Sequence, residues 1–297
     1  MIKGHLEKIM KIIDLVQGSN EWLEWRKGII TATDAASIMG ENPWCSAYKC
    51  WQRKLGLIPE EKENHFMRRG KEDEPIAREM FMQETGIEVF PACIQSEYND
   101  VMGASLDGLS IDHKCIVEIK SQSFDKIING VPKHHYHQIQ HQLLCTDGIV
   151  EKCFYVSYWG GNIKILEVVV NPFWINEYLK KMNEFFNNIL YKTPPAMVKG
   201  DYEANTDIDF SIVSTEYREI DRQIKELTIK KERLKEALID LSHGKNIEGY
   251  GVKIFKKISK GRIDYAEAIE VLNIRDDQLE PFRKPDSESW CVLVDSN

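Results

Sequence analysis

Apolar positions recur every three or four residues up to Gly86 and then shorten into alternating runs, so the chain is expected to pass from helices into strands. Ser19 precedes Asn20-Glu21-Trp22-Leu23-Glu24-Trp25-Arg26 with a capping hydroxyl and an early acid, which predicts a helix to about Lys27. Thr33-Asp34 opens an alanine-rich run that Gly40-Glu41-Asn42-Pro43 stops after Met39. Residues near 46–56 and over 66–85 read as further helices, the second with Ile76, Ala77, Met80 and Phe81 as its apolar stripe. Six β-branched or aromatic runs follow, at 87–90, 92–98, 101–105, 116–120, 154–158 and 163–170, bounded by Gly, Asn and Asp. Helices over 132–144 and 172–190 accompany them. The order predicts an α/β fold, a central mixed β-sheet flanked by helices.

Residues 1–18 read as an amphipathic N-terminal leader ending at Gln17-Gly18-Ser19. Thr193-Pro194-Pro195 and the polar, acidic stretch 200–211 place a boundary near residue 200, closing a main domain over 19–198. Beyond it, 212–241 is a highly charged helix with Ile220, Ile224, Leu227, Leu234, Leu238 and Leu241 near heptad spacing. That pattern predicts a helical hairpin arm or short coiled coil across 199–245, with a partner-binding helix as the alternative. A small α+β region should fill 246–297, where Tyr250 to Ile258 alternates, Lys260-Gly261-Arg262 turns and Asp264 caps a helix. Trp290, after Arg283-Lys284-Pro285, reads as packing for this tail or as a docking aromatic.

Composition narrows the class. The 297 residues are 42% hydrophobic and 29% charged, enough for one sizeable core plus an appendage. No apolar run approaches the roughly 18 residues a bilayer span needs, and residues 1–20 lack the order of a signal peptide, so a cytoplasmic protein is expected. Seven scattered cysteines, none spaced C-x-x-C, predict reduced and mostly buried thiols. A net charge of -8 leans against binding to a nucleic-acid backbone. The local field decides that question, however, and an acidic exterior can surround a basic cleft.

Chemistry concentrates in Ser105-Leu106-Asp107-Gly108 and Val117-Glu118-Ile119-Lys120. Strand alternation turns Val117 and Ile119 to one side and Glu118 with Lys120 to the other. Asp107 is expected at a strand end before a turn glycine, so that a hairpin brings its carboxylate opposite Glu118. Two such carboxylates repel, and a hard divalent cation relieves the repulsion, with Mg²⁺ the natural candidate. Metal, carboxylates and a lysine suit phosphodiester hydrolysis. Taken singly, Glu-x-Lys reads as an exposed ion pair and Asp-Gly as a turn. Glu74, in Gly70-Lys71-Glu72-Asp73-Glu74, reads singly as a solvated first-turn acid.

The ordered set resembles the phage lambda exonuclease-like or YqaJ viral recombinase nucleases of the PD-(D/E)xK superfamily. It comprises Glu21 to Thr33, Gly70-x-x-x-Glu74, Ser105-Leu106-Asp107-Gly108, Glu118-Ile119-Lys120 and Gln138-Ile139-Gln140. The resemblance implies a restriction-endonuclease-like core and a Mg²⁺-dependent DNA exonuclease, with two ions in the site and Mn²⁺ able to substitute. It also implies that Asp107 and Glu118, with the Ile119 carbonyl, ligate metal and that Lys120 positions water. Glu74 and Gln138 would complete the site, and Arg26, Thr33 and Ser105 would grip a terminal 5′-phosphate. Digestion of double-stranded DNA 5′ to 3′, 3′ single-stranded tails, a single-strand annealing partner and a homotrimer follow from the same likeness. The family usually has Cys-Pro after the motif lysine, where this chain has Ser121-Gln122. His135 stands where the family often shows an aromatic, with Tyr136 beside it, so both are candidate DNA contacts.

His137 and His141 lie one helical turn apart, but no acid of an H-E-x-x-H motif accompanies them and a zinc site is rejected. The polar stripe of His134, His135, Gln138, His141 and Gln142 suits DNA contacts, and its histidines are expected to add pH-dependent affinity. A structure-specific or restriction-like endonuclease and an inactive DNA-binding scaffold remain as alternatives.

Overall fold

The computed structural model describes residues 10–59, 63–261, 264–285 and 292. The chain divides into two compact units, Met1–Ala204 and Asn205–Asn297. The first contains, in order, β1 (Ile12–Ile13), α1 (Asn20–Gly28), β2 (Ile30–Thr31), α2 (Ala32–Met39), α3 (Ala47–Lys54) and α4 (His65–Thr85). Then come β3 (Val89–Gln95), β4 (Met102–Ser110), β5 (Cys115–Ser121), α5 (Lys133–Cys145), β6 (Lys152–Trp159), β7 (Asn162–Val169) and α6 (Pro172–Leu190). The helix ends follow local chemistry: Ser19 Oγ accepts from the Trp22 amide, and Asn171 Oδ1 accepts from the amides of Phe173 and Trp174. Gly40 and Gly86 close α2 and α4 with φ of 78° and 71°.

The mixed sheet runs β1-β3-β4-β5-β6-β7, with β2 alongside β4. Its pairings are antiparallel except β5 with β6 and β2 with β4, and α5 makes the crossover between the parallel β5 and β6. Helices cover both faces, as expected. One core sets Ile116 and Leu109 against Ile139 and Leu143 of α5 and Tyr178 and Met182 of α6. The other sets Val117, Ile119 and Val156 against Ala77 and Phe81 of α4. Of the stripe expected on α4, Met80 is half-buried and Ile76 stays 49% exposed.

Several boundaries differ from those expected, each for an identifiable reason. Residues 10–18 are no detached leader: Ile12 and Ile13 pair with Ile94 and Cys93, and the Gln17 amide donates to the carbonyls of Ala92 and Leu106. The runs 87–90 and 92–98 merge into β3, which bulges at Pro91, a residue without a ladder donor. Gly108 is not a turn residue. It lies inside β4, where a Cβ would stand 3.0 Å from Val117 Cβ and Val89 Cγ2, so its bareness serves close strand packing. The chain turns instead after Ser110, whose Oγ accepts from the amides of Lys114 and Cys115.

Residues 199–204 belong to the first unit rather than to the arm. Ser46 Oγ donates to Asp201 Oδ1 at 2.6 Å and the Gln52 amide donates to the Tyr202 carbonyl at 3.0 Å. The second unit contains α7 (Ile208–Leu241), the hairpin β8 (Ile247–Gly249) and β9 (Val252–Ile254), α8 (Tyr265–Val271) and α9 (Asp276–Leu279). α7 is one continuous helix of 34 residues, and no helix folds back on it as a hairpin among the described residues. Asp264 Oδ1 accepts from the Glu267 amide, capping α8. Trp290 and Arg262 lie outside the described residues.

The six cysteines Cys45, Cys50, Cys93, Cys115, Cys145 and Cys153 are buried free thiols, and Cys291 lies outside the described residues. Among the described residues no helix is long and apolar enough to cross a membrane.

Candidate active site

β4 and β5 pair at Gly108 with Val117 and at Leu109 with Ile116, and the next opposed positions are Asp107 and Glu118. There the backbone ladder ends and a side chain replaces it: the Ile119 amide donates to Asp107 Oδ2 at 2.7 Å. Asp107 thus satisfies a backbone donor that separating strands would otherwise leave unpaired.

Glu118 alternates away from Val117 and Ile119, but its face is covered too, by α5, leaving it 1% exposed. A carboxylate so deep needs donors on both oxygens. Lys120 Nζ lies 2.5 Å from Oε1, Gln138 donates to Oε1 at 2.7 Å and Gln142 to Oε2 at 2.6 Å. Gln138 and Gln142 sit one turn apart on α5, which explains how one helix serves both oxygens. Burial alone would lower the Lys120 pKa, but the charges on Glu118 and Asp107 outweigh it and hold it above the usual lysine value.

Glu74 reaches the same place from α4. Burial and the Glu118 charge raise its pKa, against the pull of Arg78. Arg78, one turn on, pairs with Glu74 and donates from Nε to the Asp107 carbonyl at 2.6 Å, tying α4 to β4. Arg78 was not foreseen, and Gln142, read as part of a polar stripe for DNA contacts, instead holds Glu118. Their signal was the helical spacing, four residues after Glu74 and after Gln138. Burial, then the charges on Glu118 and Glu74, push the Asp107 carboxyl well above the ordinary range.

Among the described residues no three His, Cys, Asp or Glu side chains form a ready cage for a metal ion. The donor chemistry nevertheless fits a hard divalent cation. Asp107, Glu118 and Glu74 are carboxylates that feel one another's charge, and Lys120 and Arg78 are the cations set against them.

The second predicted group lies at the joint of α1, α2 and β4. Arg26 Nη2 donates to Thr33 Oγ1 at 2.8 Å, and the Arg26 guanidinium rests 4.5 Å over the Trp22 ring. Trp22 Nε1 in turn donates to Ser105 Oγ at 2.8 Å, so Trp22 links the three residues read from the sequence. A buried ion pair braces this joint. Lys54 Nζ lies 2.7 Å from Asp34 Oδ2 and also donates to the carbonyls of Arg26 and Ile29. Burial works against the Asp34 charge, but Lys54 prevails and holds the carboxyl below its usual value.

The histidine stripe is more enclosed than a DNA-facing stripe would be. His141 is fully buried, bonded to the Tyr178 hydroxyl at 2.6 Å and the Gly103 carbonyl at 3.1 Å, and burial lowers its pKa to about 4. His135 meets the Tyr155 hydroxyl at 2.7 Å, and burial with the nearby Lys120 charge lowers it to about 2. Burial therefore works against the protonation that pH-dependent DNA affinity would need at either residue. His137 accepts from Trp174 Nε1 at 2.6 Å, and the Tyr136 hydroxyl accepts from Asn171 at 2.9 Å. Because the unfolded chain binds the His141 proton more tightly, the stability from neutral His141 is present above pH 6.5 and is lost as pH falls through about 4. Acid denaturation should therefore show a loss of about 3 kcal/mol over that interval, reduced in His141→Gln; an equally steep profile in the variant would refute this.

Residues 21–148 match the YqaJ-like viral recombinase domain. The chain is 27% identical over 188 residues to the uncharacterized protein YqaJ of Bacillus subtilis (strain 168), an alignment that covers 60% of this chain and 59% of that relative. It is similar to the crystal structure of an alkaline exonuclease, LHK-Exo, from Laribacter hongkongensis, at 28% identity and a TM-score of 0.50. That match covers 59% of this chain and 94% of the exonuclease, and the same values hold for the exonuclease in complex with dAMP. The mixed sheet with helices on both faces is the fold these structures share.

Proposed function

From the match of residues 21–148 to the YqaJ-like viral recombinase domain, we propose that the chain is a Mg²⁺-dependent DNA exonuclease. It would digest double-stranded ends 5′ to 3′ and leave 3′ single-stranded tails for phage-type recombination, acting with a single-strand annealing partner as a homo-oligomer. The observation that carries this reading is the opposition of Asp107 and Glu118 across β4 and β5, with Lys120 on Glu118 and Glu74 entering from α4. The similarity to an alkaline exonuclease supports the same substrate class.

Asp107, Glu118, Glu74 and the Ile119 carbonyl are the groups that would hold Mg²⁺, or Mn²⁺ in its place, as two ions. Such an ion supplies Lewis acidity toward water and phosphate. Lys120 keeps its proton and can donate hydrogen bonds to an attacking water or a non-bridging phosphate oxygen. Gln138 orients Glu118 and presents its amide beside the same oxygen. Arg78 fixes Glu74 and the Asp107 backbone, so the carboxylates approach a phosphate already placed. Arg26, Thr33 and Ser105 form the grip for a terminal 5′-phosphate.

Linear and covalently closed circular duplex, each with Mg²⁺ or EDTA, tests the mode. Loss of the linear form alone, and only in Mg²⁺, is the expected result; nicked circles would mean an endonuclease, and no product an inactive scaffold. Arg26→Ala should slow digestion of 5′-phosphorylated ends roughly tenfold or more, the scale of charge-assisted hydrogen bonds, and spare 5′-hydroxyl ends. Equal slowing on both ends would remove the phosphate role.

A further inference from the structure

α7 carries an apolar seam that nothing in its own helix explains. Val213, Ile220, Leu227, Leu234 and Leu241 recur seven residues apart, and Tyr217, Ile224 and Leu238 fall midway between them at heptad spacing. These are the d and a positions of a coiled coil. No residue of α7 is buried, and Leu227, at the centre of the seam, is 63% exposed. A straight helix of 34 residues is about 51 Å long, and an apolar stripe of that length marks an interaction surface.

The charges beside the seam indicate the occupant. At the flanking e and g positions the first half bears Glu216 and Asp221, and the second half bears Lys230 and Lys235. A second α7 running parallel would set acids against acids and lysines against lysines. One running antiparallel sets the acidic half of each copy against the basic half of the other. The apolar register agrees. With Ile224 of one copy against Leu227 of the second, Tyr217 meets Leu234 and Leu238 meets Val213, while the a-position Lys231 faces Ile220. One lysine in the seam costs stability but sets the register, and its stem can lie along apolar surface with the ammonium in water. Asp221 and Lys235 also pair within their own helix, with Lys225 at 2.8 Å and Glu232 at 2.7 Å, but among the described residues Glu216 and Lys230 make no ion pair.

We propose that α7 is a homotypic interface, pairing with α7 of a second copy as an antiparallel coiled coil. This joins two chains through the second unit and goes beyond the cleavage chemistry of the first. Sedimentation equilibrium of the full chain tests it. The wild type should show a concentration-dependent association, beyond any oligomer the first unit forms, that Leu227→Asp removes. Lys230→Glu separates the orientations. In the antiparallel pair it puts an acid against the acidic half and should raise the dissociation constant on the order of tenfold. In a parallel pair it would face Lys235 and tighten association. Because α7 buries none of its residues, neither change removes a packed core group, and circular dichroism should show helix content unchanged. A monomeric wild type, a mass unaffected by Leu227→Asp, or tighter association of Lys230→Glu would overturn the proposal.

Discussion

Glu118→Gln is expected to lose at least about 100-fold in DNA cleavage, the scale on which single electrostatic groups contribute to such chemistry, while the protein stays folded. Glu118 is 1% exposed and holds three donors, Lys120, Gln138 and Gln142. Glutamine keeps one acceptor oxygen, and the facing Gln138 amide can turn to accept from the new NH₂ group. Lys120 is 27% exposed and can relax toward water, so the loss of its partner is tolerated. Glu118→Ala would confuse the result, because it strands a cation and two amide donors and should cost about 3–5 kcal/mol. Steady-state digestion together with urea unfolding of Glu118→Gln separates the two effects. Activity within about tenfold of wild type would remove Glu118 from the chemistry.

Asp107→Asn should act in opposite directions on stability and activity. The Asp107 carboxylate is half-buried beside Glu118 and Glu74, with Lys120 and the Ile119 amide as its compensation. Asparagine can still accept from the Ile119 amide through its carbonyl oxygen while discarding the charge. Unfolding measured in EDTA should therefore show the variant as stable as wild type or more so, by about 1 kcal/mol, with cleavage again reduced at least about 100-fold. A variant less stable by about 2 kcal/mol or more would mean that the charge itself holds the strands together. Residues kept at a cost in stability are the ones function retains, and this comparison asks whether Asp107 is one.

Much of this was legible in the chain because it depends on near neighbours. Ser19 marks a helix start by donor arithmetic that needs nothing distant, and α6 begins and ends where the sequence reading placed it. The shift from helical spacing to alternation at Gly86 located the sheet, and the ordered motifs lie largely within residues 21–148, which match the YqaJ-like viral recombinase domain. What was misread depends on contacts between distant segments. Gly108 looks like a turn glycine until Val89 and Val117 are seen to close over it. His141 looks like a surface DNA contact until Tyr178, 37 residues later, covers it. The Asp34 to Lys54 ion pair joins α2 to α3, and no local rule links those positions. Arg78 is the intermediate case: its spacing from Glu74 was visible, but its bond to the Asp107 carbonyl requires the packing of α4 on the sheet.

Metal-dependent hydrolysis by the carboxylates opposed across β4 and β5 is the central proposal. Its most direct test is the release of acid-soluble nucleotides from labelled linear duplex as Mg²⁺ is added to EDTA-stripped protein, with wild type and Glu118→Gln side by side. Release should climb with Mg²⁺ in the wild type and stay at background in the variant. Equal release by both proteins, or release by the wild type in EDTA, would contradict it.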